Sequence, residues 1–317
     1  MSDVQMQCLE VRGGNRTENT KIEIPGLTGW IYSRPYHGEA AGGDVHFVSS
    51  CATGRITRWL VADVCGHGDA VAEVSDELHD LMRRYVNFID QSRLVKEMNT
   101  EFADLAQRGD FATAVVFTYF APTGELCISN AGHPRPFLYR AEQRSWARLV
   151  QRGDNSTTLS NIPLGVVPQV LYDREEFVLD KGDIIISYTD SLIEVDDRHG
   201  QQLREAGLLR LISELSWDDP MSLGEALLAR LESDYDLAEE HDDVTLLIMQ
   251  SSGPGEPISL RNRLLAPWRL LEDGIRSRLN GDRTHPEMEW SVRNLGGALY
   301  HPWNFRKPRG GSVSDEA

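Results

Sequence analysis

The chain alternates between two hydrophobic rhythms. Short apolar runs come first: WIYSRPY (30–36), DVHFVSS (44–50) and RITRWLVAD (55–63), each bounded by glycine. Runs of this length, rich in β-branched and aromatic residues and closed by turn formers, predict strands. From Asp69 the period changes. Val71, Val74, Leu78, Leu81, Tyr85 and Ile89 recur at steps of three and four, which predicts a helix with one apolar face. A second helix is expected over roughly 92–107, where Leu94, Met98, Phe102 and Leu105 keep a similar spacing.

Strand-like runs then return as ATAVVFTYF (112–120), LCISNAG (126–132), PFLYR (136–140), EEFVL (175–179) and IIISYTD (184–190). The APTGE segment between the first two is a hairpin signal, because Pro presets φ and Gly accepts a positive φ. Residues 152–161 read as a loop and DKGD (180–183) as a turn. Helices are expected over 203–215 and 221–235, and DVTLLIMQ (243–250) is a last strand. The order predicts an α+β chain with mostly antiparallel sheets covered by helices.

Three stretches follow from this pattern. Residues 1–24 are polar and read as a flexible lead. Residues 25–251 form one domain. Residues 252–317 are an extension holding Trp268, Trp290 and Trp303, with a short helix expected over 267–280 on the Trp268, Leu271, Ile275, Leu279 spacing.

Composition narrows the function. The net charge of −17 argues against a nucleic-acid partner, since phosphate backbones select Lys and Arg. The four cysteines, at 8, 51, 65 and 127, form no CxxC pair, so neither a disulfide scaffold nor a zinc site is expected. No leader pattern and no stretch of about 18 apolar residues is present, so no membrane association is expected and the chain reads as cytoplasmic.

The chemistry lies at the strand ends. Asp44 begins one apolar strand, Asp63 and Asp190 end two others, and Asp242-Asp243 begins the last. A lone Asp there is ordinarily a turn or cap residue. Four at corresponding strand ends, with no matching set of Lys or Arg, call for a divalent cation. Oxygen ligands without His or Cys point to Mg²⁺, Mn²⁺ or Ca²⁺, and the EF-hand pattern is missing.

These residues also resemble a family. Gly43-Asp44, Asp63-Val64-Cys65-Gly66-His67-Gly68, Asn130-Ala131-Gly132-His133-Pro134, Pro163-Leu164-Gly165, Tyr188-Thr189-Asp190 and Asp242-Asp243-Val244-Thr245-Leu246 stand in the order seen in SpoIIE-type phosphatases, of the metal-dependent PPM serine/threonine phosphatases. The resemblance spans about residues 27–250. It implies an α-β-β-α sandwich, with two mostly antiparallel sheets flanked by helices and a two-ion centre at one edge, occupied by Mn²⁺ or Mg²⁺. Asp63 would bridge the ions. Asp44 and the Val64 carbonyl would complete one, and Asp190 and Asp242 the other. Gly66 and Gly68 would let the backbone turn the Val64 carbonyl toward the metal. Asp63 and Asp190 would be the catalytic carboxylates, acting through metal-activated water that hydrolyses phosphoserine or phosphothreonine. Asp243, Asn130, His133 and His67 are candidates for the surrounding layer, with Thr113 beside them. His67, His133 and His241 are candidates for the acid that protonates the leaving group.

The implied substrate is a phosphorylated bacterial regulatory protein of the anti-sigma-factor antagonist type, in partner-switching signalling, and a homodimer is a candidate assembly. The competing reading, from another class, is a non-catalytic phosphatase-like module that binds a regulator. The intact acids Asp44, Asp63, Asp190 and Asp242 favour the enzyme. Two departures bear on the site. Ser191 stands where the family commonly has Gly, which would strain the backbone if that position needs φ above zero. His46 stands where an aromatic is frequent. Cys65 is expected to be a spectator.

Overall fold

The computed structural model describes residues 2–51, 53–66, 69–105, 110–149, 160–237 and 242–255, together with Leu265 and Trp268. Two sheets pack face to face. The first joins β1 (Ser2–Gln5), β3 (Glu18–Ile24), β4 (Leu27–Arg34), β13 (Val244–Ser251), β12 (Ile184–Tyr188), β9 (Phe137–Arg140) and β10 (Ser145–Arg148), in that spatial order. The second joins β11 (Glu175–Val178), β8 (Glu125–Ala131), β7 (Ala112–Phe120), β6 (Ile56–Val64), β5 (Asp44–Ser50) and β2 (Val11–Gly14). Every pairing is antiparallel except β1 with β3.

Three apolar layers hold the sandwich. Val48, Trp59, Val61, Phe117, Ile185 and Leu247 fill the space between the sheets. Helices α1 (Asp69–Tyr85) and α2 (Gln91–Leu105) cover the six-stranded sheet, burying Leu78, Met82, Leu94 and Phe102 against Phe47, Leu60 and Val116. The short helix α3 (Ser191–Glu194), with α4 (Arg204–Glu214) and α5 (Pro220–Asp234), covers the other sheet through Leu208, Ile212, Leu227 and Leu231. This is the α-β-β-α sandwich that the resemblance implies.

Local chemistry explains several boundaries. Asp219 caps α5 by accepting from the Ser222 N–H at 2.8 Å, with Pro220 in the first turn. Helix α1 stops at Tyr85, before Ile89, and Arg58 on β6 donates to the carbonyls of Val86 (2.5 Å) and Phe88 just beyond its end. The β7–β8 hairpin turns through Ala121–Gly124, with Gly124 at φ 72°, as the APTGE signal predicts. The DKGD turn instead changes sheet: β11 pairs with β8 and β12 with β13 and β9, so those strands do not form a hairpin.

The flexible lead expected over residues 1–24 is corrected. Thr20, Ile22 and Ile24 alternate inward along β3 and are buried, and β3 pairs with β4 from Glu18–Ser33 to Ile24–Leu27. The polarity of this segment is that of strands with one solvated face, not of a chain lacking a core. Leu265 and Trp268 are helical and exposed. The rest of the extension, most of the expected 267–280 helix included, lies outside the described residues. So do His67, Gly68, His241, residues 106–107 of the second expected helix and residues 152–159 of the expected loop. No helix among the described residues is long and apolar enough to cross a membrane.

Candidate metal centre

The two sheets bring the strand-end carboxylates to one edge. Asp44 opens β5 and is the cross-strand partner of Asp63 on β6, which in turn faces Thr113 on β7. On the other sheet, β12 ends and its antiparallel neighbour β13 begins at the same edge, with Tyr188 opposite Leu246. Asp190 therefore follows one strand where Asp242 and Asp243 precede the other.

Thr189 ties the sheets together there. Its N–H donates to the Thr245 carbonyl at 3.1 Å, its hydroxyl donates to Asp44 Oδ2 at 2.9 Å, and it accepts from the Thr245 N–H at 2.9 Å. The Val64 carbonyl reaches the same edge, since a Cβ on Gly43 would lie 2.9 Å from it. Gly66 turns the chain at φ 120°, and a side chain there would meet Val71 at 2.8 Å, which accounts for one of the two expected glycines.

Burial and crowding of like charge weaken the acids of the set. Burial first, then Asp63 and Asp243, hold the Asp44 carboxyl well above the usual range. Asp63 is pushed up to about 7 by burial and then by Asp190, Asp242, Asp243 and Glu194. Asp242 is solvent-exposed at the rim, yet burial of its carboxyl together with Asp190, Asp243 and Glu194 raises it to about 6, against the lowering effect of the Asp243 N–H. Burial also raises Asp190. Among the described residues none of these four acids is paired with Lys or Arg. The donor set, hard oxygens carrying uncompensated negative charge, suits a divalent cation in its chemistry. The four form an open rim: among the described residues, no three His, Cys, Asp or Glu side chains close into a ligand group.

The candidates for the surrounding layer divide. His133 is buried, its Nδ1 lies 2.8 Å from the Thr113 hydroxyl, and its backbone is held by Asn130 at 2.8 and 2.9 Å. Burial lowers its ring to about 3, against an opposing effect of the Tyr188 backbone, which keeps the imidazole neutral at neutral pH. Asp243 turns inward to backbone N–H groups. Cys65 is exposed, and slight burial with nearby Asp63 raises its thiol, so no thiolate forms readily. His46 is buried and lowered to about 4 by burial and His79. Ser191 carries no strain: it is absent from the positive-φ positions and starts α3, behind Asp190 at φ −62°.

Two neighbours of the rim escaped the sequence reading. Thr189 orients Asp44 from the other sheet. Glu194 lies one helical turn beyond Asp190, its N–H donating to the Asp190 carbonyl at 3.0 Å, and its charge acts on Asp63 and Asp242. The four-residue spacing from Asp190 was the available signal.

Two antiparallel sheets between helical layers, with acids gathered at one edge, define a PP2C-type fold. The phosphatase domain of SpoIIE from Bacillus subtilis superposes with a TM-score of 0.53 at 16% identity, over 72% of this chain and 92% of that one. Residues 53–252 match the family described as Stage II sporulation protein E (SpoIIE), and the chain belongs to that family. The phosphoserine phosphatase RsbU of Bacillus subtilis (strain 168) is 23% identical over 213 residues, which are 67% of this chain and 60% of RsbU; the chain thus spans about three fifths of that relative. A structure of RsbU and RsbW domains from Mycobacterium tuberculosis matches at 26% identity and a TM-score of 0.58, over 78% of this chain and 68% of that one. RsbX, solved in complex with magnesium, shares the fold at 18% identity and a TM-score of 0.52, over 74% of this chain and all of RsbX.

Proposed function

We propose that the chain is a Mn²⁺- or Mg²⁺-dependent protein phosphatase that hydrolyses phosphoserine or phosphothreonine on a bacterial regulatory protein of the anti-sigma-factor antagonist type. The observation that carries this reading is the placement of Asp44, Asp63, Asp190 and Asp242 at one sheet edge, with no Lys or Arg partner among the described residues, in a member of the SpoIIE family. The relative named as a phosphoserine phosphatase supports the reaction class, and the magnesium complex of RsbX supports the type of ion. The pairing of RsbU and RsbW domains in one relative supports a partner-switching setting.

In this reading Asp44, Asp63 and the Val64 carbonyl would hold one ion, and Asp63, Asp190 and Asp242 would hold a second. Bound there, the ions supply activation of the attacking water and compensation of charge on the phosphoryl oxygens. Three features of the chain support this reading. Asp63 sits on a central strand, flanked by Asp44 and Thr113, and Thr189 holds Asp44 against the opposite sheet. Cys65 takes no covalent part.

The test is turnover of a phosphorylated antagonist protein, p-nitrophenyl phosphate and free phosphoserine in Mn²⁺, beside Asp63→Asn and Asp190→Asn. Turnover of the phosphoprotein that both variants abolish supports the reading. Binding of the phosphoprotein without turnover replaces it with the regulatory module. A preference for free phosphoserine replaces the protein substrate with a small phosphoester.

A further inference from the structure

We infer that Asp243 is the positioning residue for Asp44: its carboxylate holds the Gly42–Gly43–Asp44 turn by its backbone and so presents the Asp44 side chain at the edge. The inference rests on the reading of Asp44 as a metal ligand. Asp243 immediately precedes β13 of the seven-stranded sheet, and Asp44 opens β5 in the other. The Asp243 carboxylate crosses between them. Its Oδ1 accepts from the Tyr36 N–H at 2.6 Å. Its Oδ2 accepts from the N–H groups of Gly43 and of Asp44, the latter at 3.2 Å.

A carboxylate oxygen has two in-plane lone pairs, so Oδ2 is saturated by the backbone and is not free to ligate an ion. Asp243 itself is 8% exposed, whereas Asp242 beside it is exposed at the rim. Adjacent acids in one motif therefore divide the work: Asp242 faces out, and Asp243 faces the backbone.

The two glycines follow from the same contact. A Cβ on Gly42 would lie 2.4 Å from both Asp243 oxygens, and one on Gly43 would lie 3.3 Å from Oδ2 and 2.9 Å from the Val64 carbonyl. Neither glycine has a positive φ. Gly42-Gly43 is thus required by the close approach of a carboxylate to the chain, not by turn conformation. The rest of the turn is fixed as firmly. The Gly42 N–H donates to the Asn15 carbonyl at 2.8 Å, and the Gly43 carbonyl accepts from the Ser75 hydroxyl at 2.9 Å and the Val64 N–H at 3.2 Å. Asp243 supplies the contacts that hold the Gly43 and Asp44 N–H groups.

Asp243→Asn keeps the shape but sets an amide N–H₂ against a backbone N–H. Gly42→Ala disturbs the same contact from the other side and leaves Asp243 intact. Three measurements decide the matter, with circular dichroism and thermal melting confirming that each variant is folded. First, amide hydrogen exchange of Gly43 and Asp44 in the metal-free protein should speed up in both variants. Second, Mn²⁺ affinity by calorimetry should fall about 10- to 100-fold, the usual cost of losing a group that orients a ligand. Third, in an Asp44→Asn background the Asp243→Asn effect on Mn²⁺ affinity should shrink to under about threefold, since an effect exerted through Asp44 vanishes with it. Unchanged protection of Gly43 and Asp44 in folded Asp243→Asn overturns the inference. So do losses that multiply in the double variant, which make Asp243 a ligand in its own right. If the unaltered protein takes up no Mn²⁺, the metal reading fails, and the exchange measurement still decides whether Asp243 holds the turn.

Discussion

Asp44 and Asp63 are cross-strand partners on β5 and β6, two acids placed opposite one another where opposite charges would ordinarily be found. Like charges at such a position repel and weaken a sheet. The arrangement stores electrostatic work that protons or cations release, and that has measurable consequences.

The first is pH dependence. The Asp63 carboxyl titrates near 3.8 in an unfolded chain and near 7 in the folded one. A raised folded value means that the native state binds the proton more tightly, so its contribution is complete below about pH 4 and is lost as pH climbs through about 7. In metal-free protein, Asp63→Asn should raise the melting temperature at pH 8, with the gain disappearing toward pH 4. Comparison with the variant isolates Asp63 from His46 and His133, whose lowered values act with the opposite sign. Equal melting of the two proteins at pH 8 would contradict the repulsion.

Protons and ions compete for the same oxygens. Stabilisation by Mn²⁺ should therefore be weak at pH 5 and grow through pH 6–7, following Asp242 near 6 and Asp63 near 7. The check is the Mn²⁺-induced shift in melting temperature as a function of pH, whose growth through about pH 7 should be lost in Asp63→Asn.

His133 should be silent to pH. With its ring lowered to about 3 and His46 to about 4, neither should titrate between pH 5 and 8 in an NMR titration of ring resonances. His133→Ala should cost roughly 1–3 kcal/mol of stability in urea denaturation, through the lost contact with Thr113 and the cavity left behind.

Away from the edge, Gly224 on α5 packs so tightly on Trp30 that a Cβ would lie 1.9 Å from the ring. Ala normally favours a helix over Gly by up to about 1 kcal/mol. Here overpacking should win, and Gly224→Ala should destabilise the fold by about 2 kcal/mol, read in urea together with a change in tryptophan emission.

Asp183 offers a control. It is buried at the other end of β12 from Asp190, paired with Arg140 at 2.6 Å and accepting from the N–H groups of Ala141 and Asp180. Asp183→Ala should cost about 3 kcal/mol without altering Mn²⁺ affinity.

Much of this was legible in the sequence, for identifiable reasons. The strand-end acids stood out because Asp is a poor strand residue, and the α1 face was readable because Leu78, Leu81 and Tyr85 keep the helical period. The first strands were not. Lys21 and Glu23 alternate with Thr20, Ile22 and Ile24 in a segment so polar that its core face is three residues wide. The sheet change after Val178 was hidden because a turn motif specifies a reversal, not which strand receives the chain. The role of Asp243 was hidden because only the fold shows that Gly42 and Gly43 lie against it.

Strand β13 begins beside the acidic rim and runs for eight residues, about 26 Å, to the far end of the sandwich. There Gly253 meets Lys181 and Pro254 meets Gly124. An affinity handle or fluorophore attached at Gly255 would thus sit at the opposite pole from Asp242, away from the acidic rim. That makes this position a practical place to immobilise the molecule for binding work.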